Sequence, residues 1–195
     1  MRTTPPFSQA ETRLRPRAAF TLAEVMIAST IGALVLAGVL SSFLMLGRSG
    51  MRLYYYNGME SESRRTLEEF AQDVRMASDA LYNSATSVTL TVPDNYAANG
   101  NQVTYAFGSA TLNSVTYSNC FYRRPGNASS TATPTILIRN VTDCVFTRYD
   151  VLGAATTLDS ATKRIELSLR VSNSRSTLVA ATDNIVSATY LLRNK

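Results

Sequence analysis

The sequence predicts an α+β protein in which one long N-terminal helix, membrane-spanning in its first half, packs on an antiparallel β-sheet. Three observations carry that expectation. Between Phe20 and Leu46 the only charged residue is Glu24. Around Leu67–Leu81 apolar residues recur at helical spacing, and after Asn83 the texture changes to short alternating runs between turn clusters.

Residues 1–19 hold three prolines and four arginines (Arg2, Arg13, Arg15, Arg17) with no apolar periodicity. They read as a targeting segment that stands outside the fold. Most of the net charge of +5 sits there: the four arginines outweigh Glu11 by three, which leaves +2 for all that follows. The basic balance is therefore a property of the leader and argues poorly for nucleic-acid binding. Basic residues before a first apolar span keep that flank in the cytoplasm and send the C-terminal side outward.

Residues 20–46 form the expected transmembrane half of the helix. At 1.5 Å per residue the stretch reaches about 40 Å, enough to cross a ~30 Å hydrocarbon core with tilt. Ala28, Ser29, Gly32, Ala33, Ala37, Gly38, Ser41 and Ser42 spread small residues over several faces. These let another helix approach closely, and they are also ordinary membrane-helix composition. Tyr54, Tyr55 and Tyr56, just past the span, read as interfacial anchors.

Residues 47–82 form the expected amphipathic half. Leu67, Phe70, Ala71, Val74, Ala77 and Leu81 follow the i, i+3, i+4, i+7 rule for one apolar face. Glu60/Arg64, Arg64/Glu68 and Arg65/Glu69 are i,i+4 pairs on the exposed side, each worth a few tenths of a kcal/mol. No proline intervenes after Gly47, Gly50 and Gly58, so one helix is expected from about Phe20 to Tyr82.

Residues 83–195 form the expected β-rich domain. The alternating runs are Ser87–Val92, Gln102–Phe107, Ser114–Tyr117, Cys120–Tyr122, Thr135–Arg139, Val145–Tyr149, Arg164–Val171 and Ile185–Arg193. Period-two patterning between turns argues an antiparallel sheet, and its apolar face (Ile165, Leu167, Leu169, Val171) needs the amphipathic helix as cover. Cys120 and Cys144 lie on the outward side, where an oxidising compartment permits a disulfide. That bridge would close a loop of about 25 residues, worth roughly 3 kcal/mol; two buried free thiols are the alternative.

The chemistry-bearing residues point away from catalysis. The chain has no histidine, hence no Ser/His or Cys/His dyad and none of the commonest metal ligand. No Gly-rich phosphate loop or CxxC occurs. Asp94, Asn95, Asn99 and Asn101 offer oxygen ligands for calcium, but their spacing fits no EF-hand and turns favour these residues. No enzyme activity, metal or cofactor is expected.

Glu24 is the exception. An acid in a membrane span costs about 2.5–3.5 kcal/mol at the centre and less near an end, which makes it a functional-site candidate with a partner to be named. The string Ala19-Phe20-Thr21-Leu22-Ala23-Glu24-Val25 resembles the class III signal of type IV prepilins and type II secretion prepseudopilins. The resemblance implies that prepilin peptidase cuts between Ala19 and Phe20 on the cytoplasmic side and methylates the new amine of Phe20. It also implies that the apolar stretch remains as anchor and assembly helix, with Glu24 fifth in the mature chain. Ala19 departs from the glycine usual in the family and is its nearest substitute in size. In a filament of packed helices, the Phe20 amine of one subunit can neutralise Glu24 of its neighbour. Pairing offsets much of the desolvation cost and fixes axial register; the alternative is a glutamate snorkelling to the interface.

The runs Ile136–Val141, Val145-Phe146, Tyr149-Asp150, Arg164–Leu169 and Leu191-Leu192-Arg193-Asn194-Lys195 are similar, more loosely, to PilW-type minor pilins and the minor pseudopilin J. These resemblances imply a non-catalytic minor subunit that primes or caps a type IV pilus or a type II secretion pseudopilus. Its implied setting is single-pass in the bacterial inner membrane with a periplasmic domain. The implied partners are the peptidase, other pilins through the N-terminal helix, and the inner-membrane assembly platform. Two rivals stand beside that reading. One is a secreted envelope protein whose ordinary signal peptide is cut near Ala37-Gly38 or Leu40-Ser41. The other is a DNA-uptake pseudopilin whose exposed Arg123, Arg124, Arg148 and Arg175 contact phosphates, although nucleic acid is not the expected partner.

Overall fold

In the computed structural model, which describes residues 20–173 and 182–195, helix α1 (Leu22–Met76) is followed by eight strands. They are β1 (Asp79–Ser84), β2 (Ser87–Thr91), β3 (Gln102–Leu112), β4 (Val115–Pro125), β5 (Thr135–Arg139), β6 (Val141–Tyr149), β7 (Arg164–Asn173) and β8 (Thr182–Leu191). All pair antiparallel. The long helix followed by antiparallel strands is the α+β, pilin-like arrangement that the sequence predicts. Its contacts divide it into two compact units, one ending at Gly47 and the other Arg48–Lys195.

In the first unit every described side chain is exposed, and α1 is long and apolar enough there to cross a membrane. Its hydroxyls turn back onto their own helix: Ser29 Oγ donates to Met26 O at 2.9 Å, Thr30 Oγ1 to Ile27 O at 2.8 Å and Ser42 Oγ to Gly38 O at 3.0 Å. Internal satisfaction of polar groups is what a hydrocarbon surrounding demands.

In the second unit α1 buries Met59, Ser63, Thr66, Phe70, Ala71, Asp73 and Val74, and Leu67 is half-buried. Phe70 is fully buried in a cage of rings. Tyr105 stands edge-on at 5.0 Å, Tyr190 edge-on at 5.6 Å and Phe146 tilted at 5.8 Å. On the exposed side Arg64 meets Glu60 at 2.6 Å and Arg65 meets Glu69 at 3.1 Å, two of the three expected pairs.

The helix stops earlier than its periodicity suggests. Ala77 N–H still bonds to Asp73 O at 2.9 Å, but Ser78 N–H turns to Thr91 O at 2.8 Å. Leu81 and Tyr82 then lie in β1, opposite Thr89 and Val88. Ala80 points into the core and Leu81 outward, so Leu81 matched the helical stripe by coincidence of spacing. The one expected sheet is two: a five-stranded sheet in the order β1-β2-β3-β4-β5 and a three-stranded sheet β6-β7-β8. The chain changes sheet at one residue, Asn140, whose φ of 57° redirects the backbone. The two runs at Ser114–Tyr117 and Cys120–Tyr122 are a single strand, β4. It follows the Asn113-Ser114 turn, where φ is 51° and 64°, and positive φ at both central residues matches the twist of a two-residue hairpin. After β4, Gly126 has φ 97°, and a β-carbon there would lie 2.7 Å from Ser130 Oγ.

Phe70→Ala should cost about 3–5 kcal/mol, whereas Leu81→Ala should stay within ~0.5 kcal/mol because Leu81 faces solvent. Thermal unfolding of the full chain in detergent, followed by near-ultraviolet circular dichroism, separates the two.

Candidate functional site

Phe20 and Thr21 precede the first turn of α1, with Phe20 83% exposed. Thr21 and Glu24 cap that turn reciprocally. Glu24 Oε2 accepts the Thr21 N–H at 2.9 Å and the Thr21 Oγ1 hydroxyl at 3.0 Å, and Glu24 N–H donates to Thr21 Oγ1 at 3.3 Å. This is the capping box, which satisfies donors that a helix start leaves without partners. The carboxylate also sits at the positive end of the helix dipole. Among the described residues Glu24 Oε1 has no partner. The Thr-x-x-Glu spacing before an apolar run is a sequence signal for such a cap, and Thr21 is the member that the sequence reading passed over. Ala19 lies outside the described residues.

A second polar centre was not foreseen. Asp73, on the buried side of α1, accepts the hydroxyls of Tyr96 and Tyr105, both at 2.8 Å, and the Asn95 amide at 3.4 Å. Arg123 reaches Glu69 at 3.7 Å and Asp73 at 4.0 Å. Burial first, then the neighbouring carboxylate, raises both tyrosines above the ordinary phenol range. They remain donors at any physiological pH, and a buried acid is stable only when so paired. Asp73 thereby fastens the helix to the five-stranded sheet.

Three of the four arginines considered for phosphate contact are half-buried and engaged within the chain. Arg123 holds Glu69 and Asp73. Arg124 lies 5.2 Å from the Tyr122 ring centroid and donates to Ser130 O at 3.3 Å. Arg148 pairs with Asp159 and stacks 4.1 Å over Tyr82. The fourth, Arg175, lies outside the described residues. The expectation of an exposed set is corrected: carboxylates and rings already occupy the guanidinium groups. Of the oxygen-rich turn residues, Asp94 and Asn101 have φ of 60° and 57°, and Asn95 bonds Asp73.

Cys120 and Cys144 are free and buried, on β4 and β6. The disulfide that the sequence permits is not formed in this structure. Cys120 Sγ instead donates to Gly108 O at 3.3 Å, and Cys144 belongs to the apolar core. Burial raises Cys120 and pushes Cys144 up to about 12.

The described geometry is that of a capped apolar helix carrying one acid at its start, followed in sequence by a domain in which Asp73, Arg123, Arg124 and Arg148 are engaged internally. The prokaryotic N-terminal methylation motif matches residues 14–40, a span that contains the junction and the first part of α1. This match supports a type IV pilin-like protein. Comparison with curated proteins and with solved structures gives no match.

Buried thiols with raised pKa are poor nucleophiles, since only the thiolate reacts. Both cysteines should resist iodoacetamide at neutral pH in the folded chain and react after denaturation, as read by mass spectrometry. Loss of both reactive thiols after denaturation without reductant would instead reveal the bridge.

Proposed function

We propose that this chain is a non-catalytic minor pilin or pseudopilin subunit, cut between Ala19 and Phe20 and methylated on Phe20. It is held in the bacterial inner membrane by residues 20–46, carries its β-rich domain in the periplasm, and primes or caps a type IV pilus or type II secretion pseudopilus. The observation that carries this reading is the Glu24 carboxylate at the start of an apolar helix, one oxygen engaged by Thr21 and the other open. An amine on a neighbouring subunit completes it. Cutting before Phe20 creates such an amine at the right depth, four residues before the acid. A slipped neighbour leaves a charge unpaired in hydrocarbon, so the pair sets register as well as attraction.

The role at a tip rests on the looser likeness of residues 136–195 to minor subunits and on the size of the domain. A bulky head fits more easily at a filament end than in a close-packed shaft.

Glu24→Val should leave membrane insertion and cutting intact while lowering incorporation into filaments about a hundredfold or more, the scale expected for breaking a buried charge pair. Mass spectrometry of the mature N-terminus should find methylated Phe20; a start at Ser41 would defeat the reading. Immunogold labelling should mark filament ends, and labelling along the shaft would remove the capping role.

A further inference from the structure

The connection between β6 and β7, residues 150–163, displays large aliphatic side chains to solvent. Val151 is 68%, Leu152 88% and Leu158 63% exposed. This is a built turn. Asp150 Oδ1 accepts the N–H groups of Leu152 at 2.8 Å and Ala154 at 2.9 Å, and Asp150 N–H donates to Ala154 O at 2.9 Å. Gly153 takes φ 86°, and Thr156 N–H returns to Arg148 O at 3.0 Å. A tip fixed this way loses little conformational freedom on docking.

Positive charge lies beside the tip. Arg164 borders it, Lys163 and Arg193 stand at the base of the connection, and among the described residues none of the three has an acidic partner. Arg164 Nη1 lies 3.5 Å from where a β-carbon of Gly153 would stand, and Leu192 N–H bonds Lys163 O at 2.9 Å, bringing Arg193 alongside. Of the nearby carboxylates, Asp159 is paired with Arg148 and Asp79 with Lys195 at 2.6 Å, while Asp150, held by backbone amides, keeps its charge and is outnumbered by the three cations.

The loop is tied to the C-terminal end of α1. Lys195 Nζ donates to Asp159 O at 2.5 Å while holding Asp79, and Asn194 donates to Met76 O at 3.1 Å. From Arg48 to Met76 the helix advances about 42 Å. Within the second unit the tip is therefore remote from the point where the chain enters the apolar unit.

We infer that the Val151-Leu152 tip is a lipid-docking finger: its aliphatic side chains enter the headgroup–acyl boundary of an anionic bilayer, while Lys163, Arg164 and Arg193 meet the headgroups. Apolar insertion combined with attraction to anionic lipid is the mode by which peripheral elements bind membranes. A protein interface of standard size takes about 800 Å² per partner, with aromatic and Arg anchors in a packed centre. A projecting aliphatic pair beside a group of cations fits a bilayer better. Docking requires an anchor at residues 20–46 but no filament, so failure of assembly and failure of docking read separately.

The test uses the full chain in phosphatidylcholine nanodiscs, mixed with sedimentable vesicles rich in phosphatidylglycerol or made of phosphatidylcholine alone. Wild-type discs should co-sediment with the anionic vesicles and much less with the neutral ones. Val151→Ser/Leu152→Ser, at sites too exposed to disturb folding, should weaken co-sedimentation by about tenfold per aliphatic side chain. Lys163→Gln/Arg164→Gln/Arg193→Gln should reduce binding to the neutral-vesicle level. Wild-type discs that stay in solution, or a serine variant that sediments like wild type, would overturn the assignment and leave the tip to an apolar pocket on a protein. Equal binding to both vesicle types would overturn the role of the cations.

Discussion

Phe70 is where the second unit's three packed layers meet. Its ring touches Tyr105 of the five-stranded sheet and both Phe146 and Tyr190 of the three-stranded sheet. Phe121 and Phe146, 6.1 Å apart, join the two sheets directly. Edge-on and tilted contacts of this kind add about 0.5–1.5 kcal/mol per pair beyond the area they bury. Neither sheet covers its own apolar face, and the helix can bury its stripe only against both. One turn further on, Asp73 sets the rotation of the helix about its axis, because a small rotation would pull a buried carboxylate away from two phenols. Apolar packing brings the layers together, and the acid selects one arrangement of them.

Much of this architecture was legible because it follows local periodicity. Phe70, Ala71, Val74 and Ala77 fall on the predicted face and are buried. The predicted runs at Ser87 and Thr135 begin where β2 and β5 begin. What could not be read is where a local pattern yields to a distant partner. The helix ends because Ser78 finds Thr91, and a helical stripe extended to Leu81 carries no record of that competitor. The split into two sheets turns on the backbone of Asn140, a residue that reads equally well as a turn within a single sheet.

The junction was more legible than the domain for the same reason. Phe20, Thr21 and Glu24 are neighbours in sequence, and a lone acid in an apolar run is conspicuous without any structure. The structure adds that the acid first serves its own helix, through the cap with Thr21. Asp73 is the opposite case. Its donors, Tyr96 and Tyr105, come from the residue before the 3₁₀ turn Ala97–Asn99 and from β3, so in the sequence it is one more charged residue on an amphipathic helix. The arginines mislead in the same way: a count of cations says nothing about which carboxylates and rings already hold them.

At Gly126 two independent constraints fall on one atom. The φ of 97° is strained for any side chain, and Ser130 Oγ, committed to Pro125 O at 2.7 Å, blocks the place where a β-carbon would go. The amide and carbonyl of the same residue are taken by Gln102 O and Thr104 Oγ1. No neighbouring residue can slide into the role without breaking one of these bonds. For chains too divergent to align by overall similarity, this glycine, with a helix acid facing two tyrosines, supplies a fixed point from which shared ancestry of the head domain can be judged.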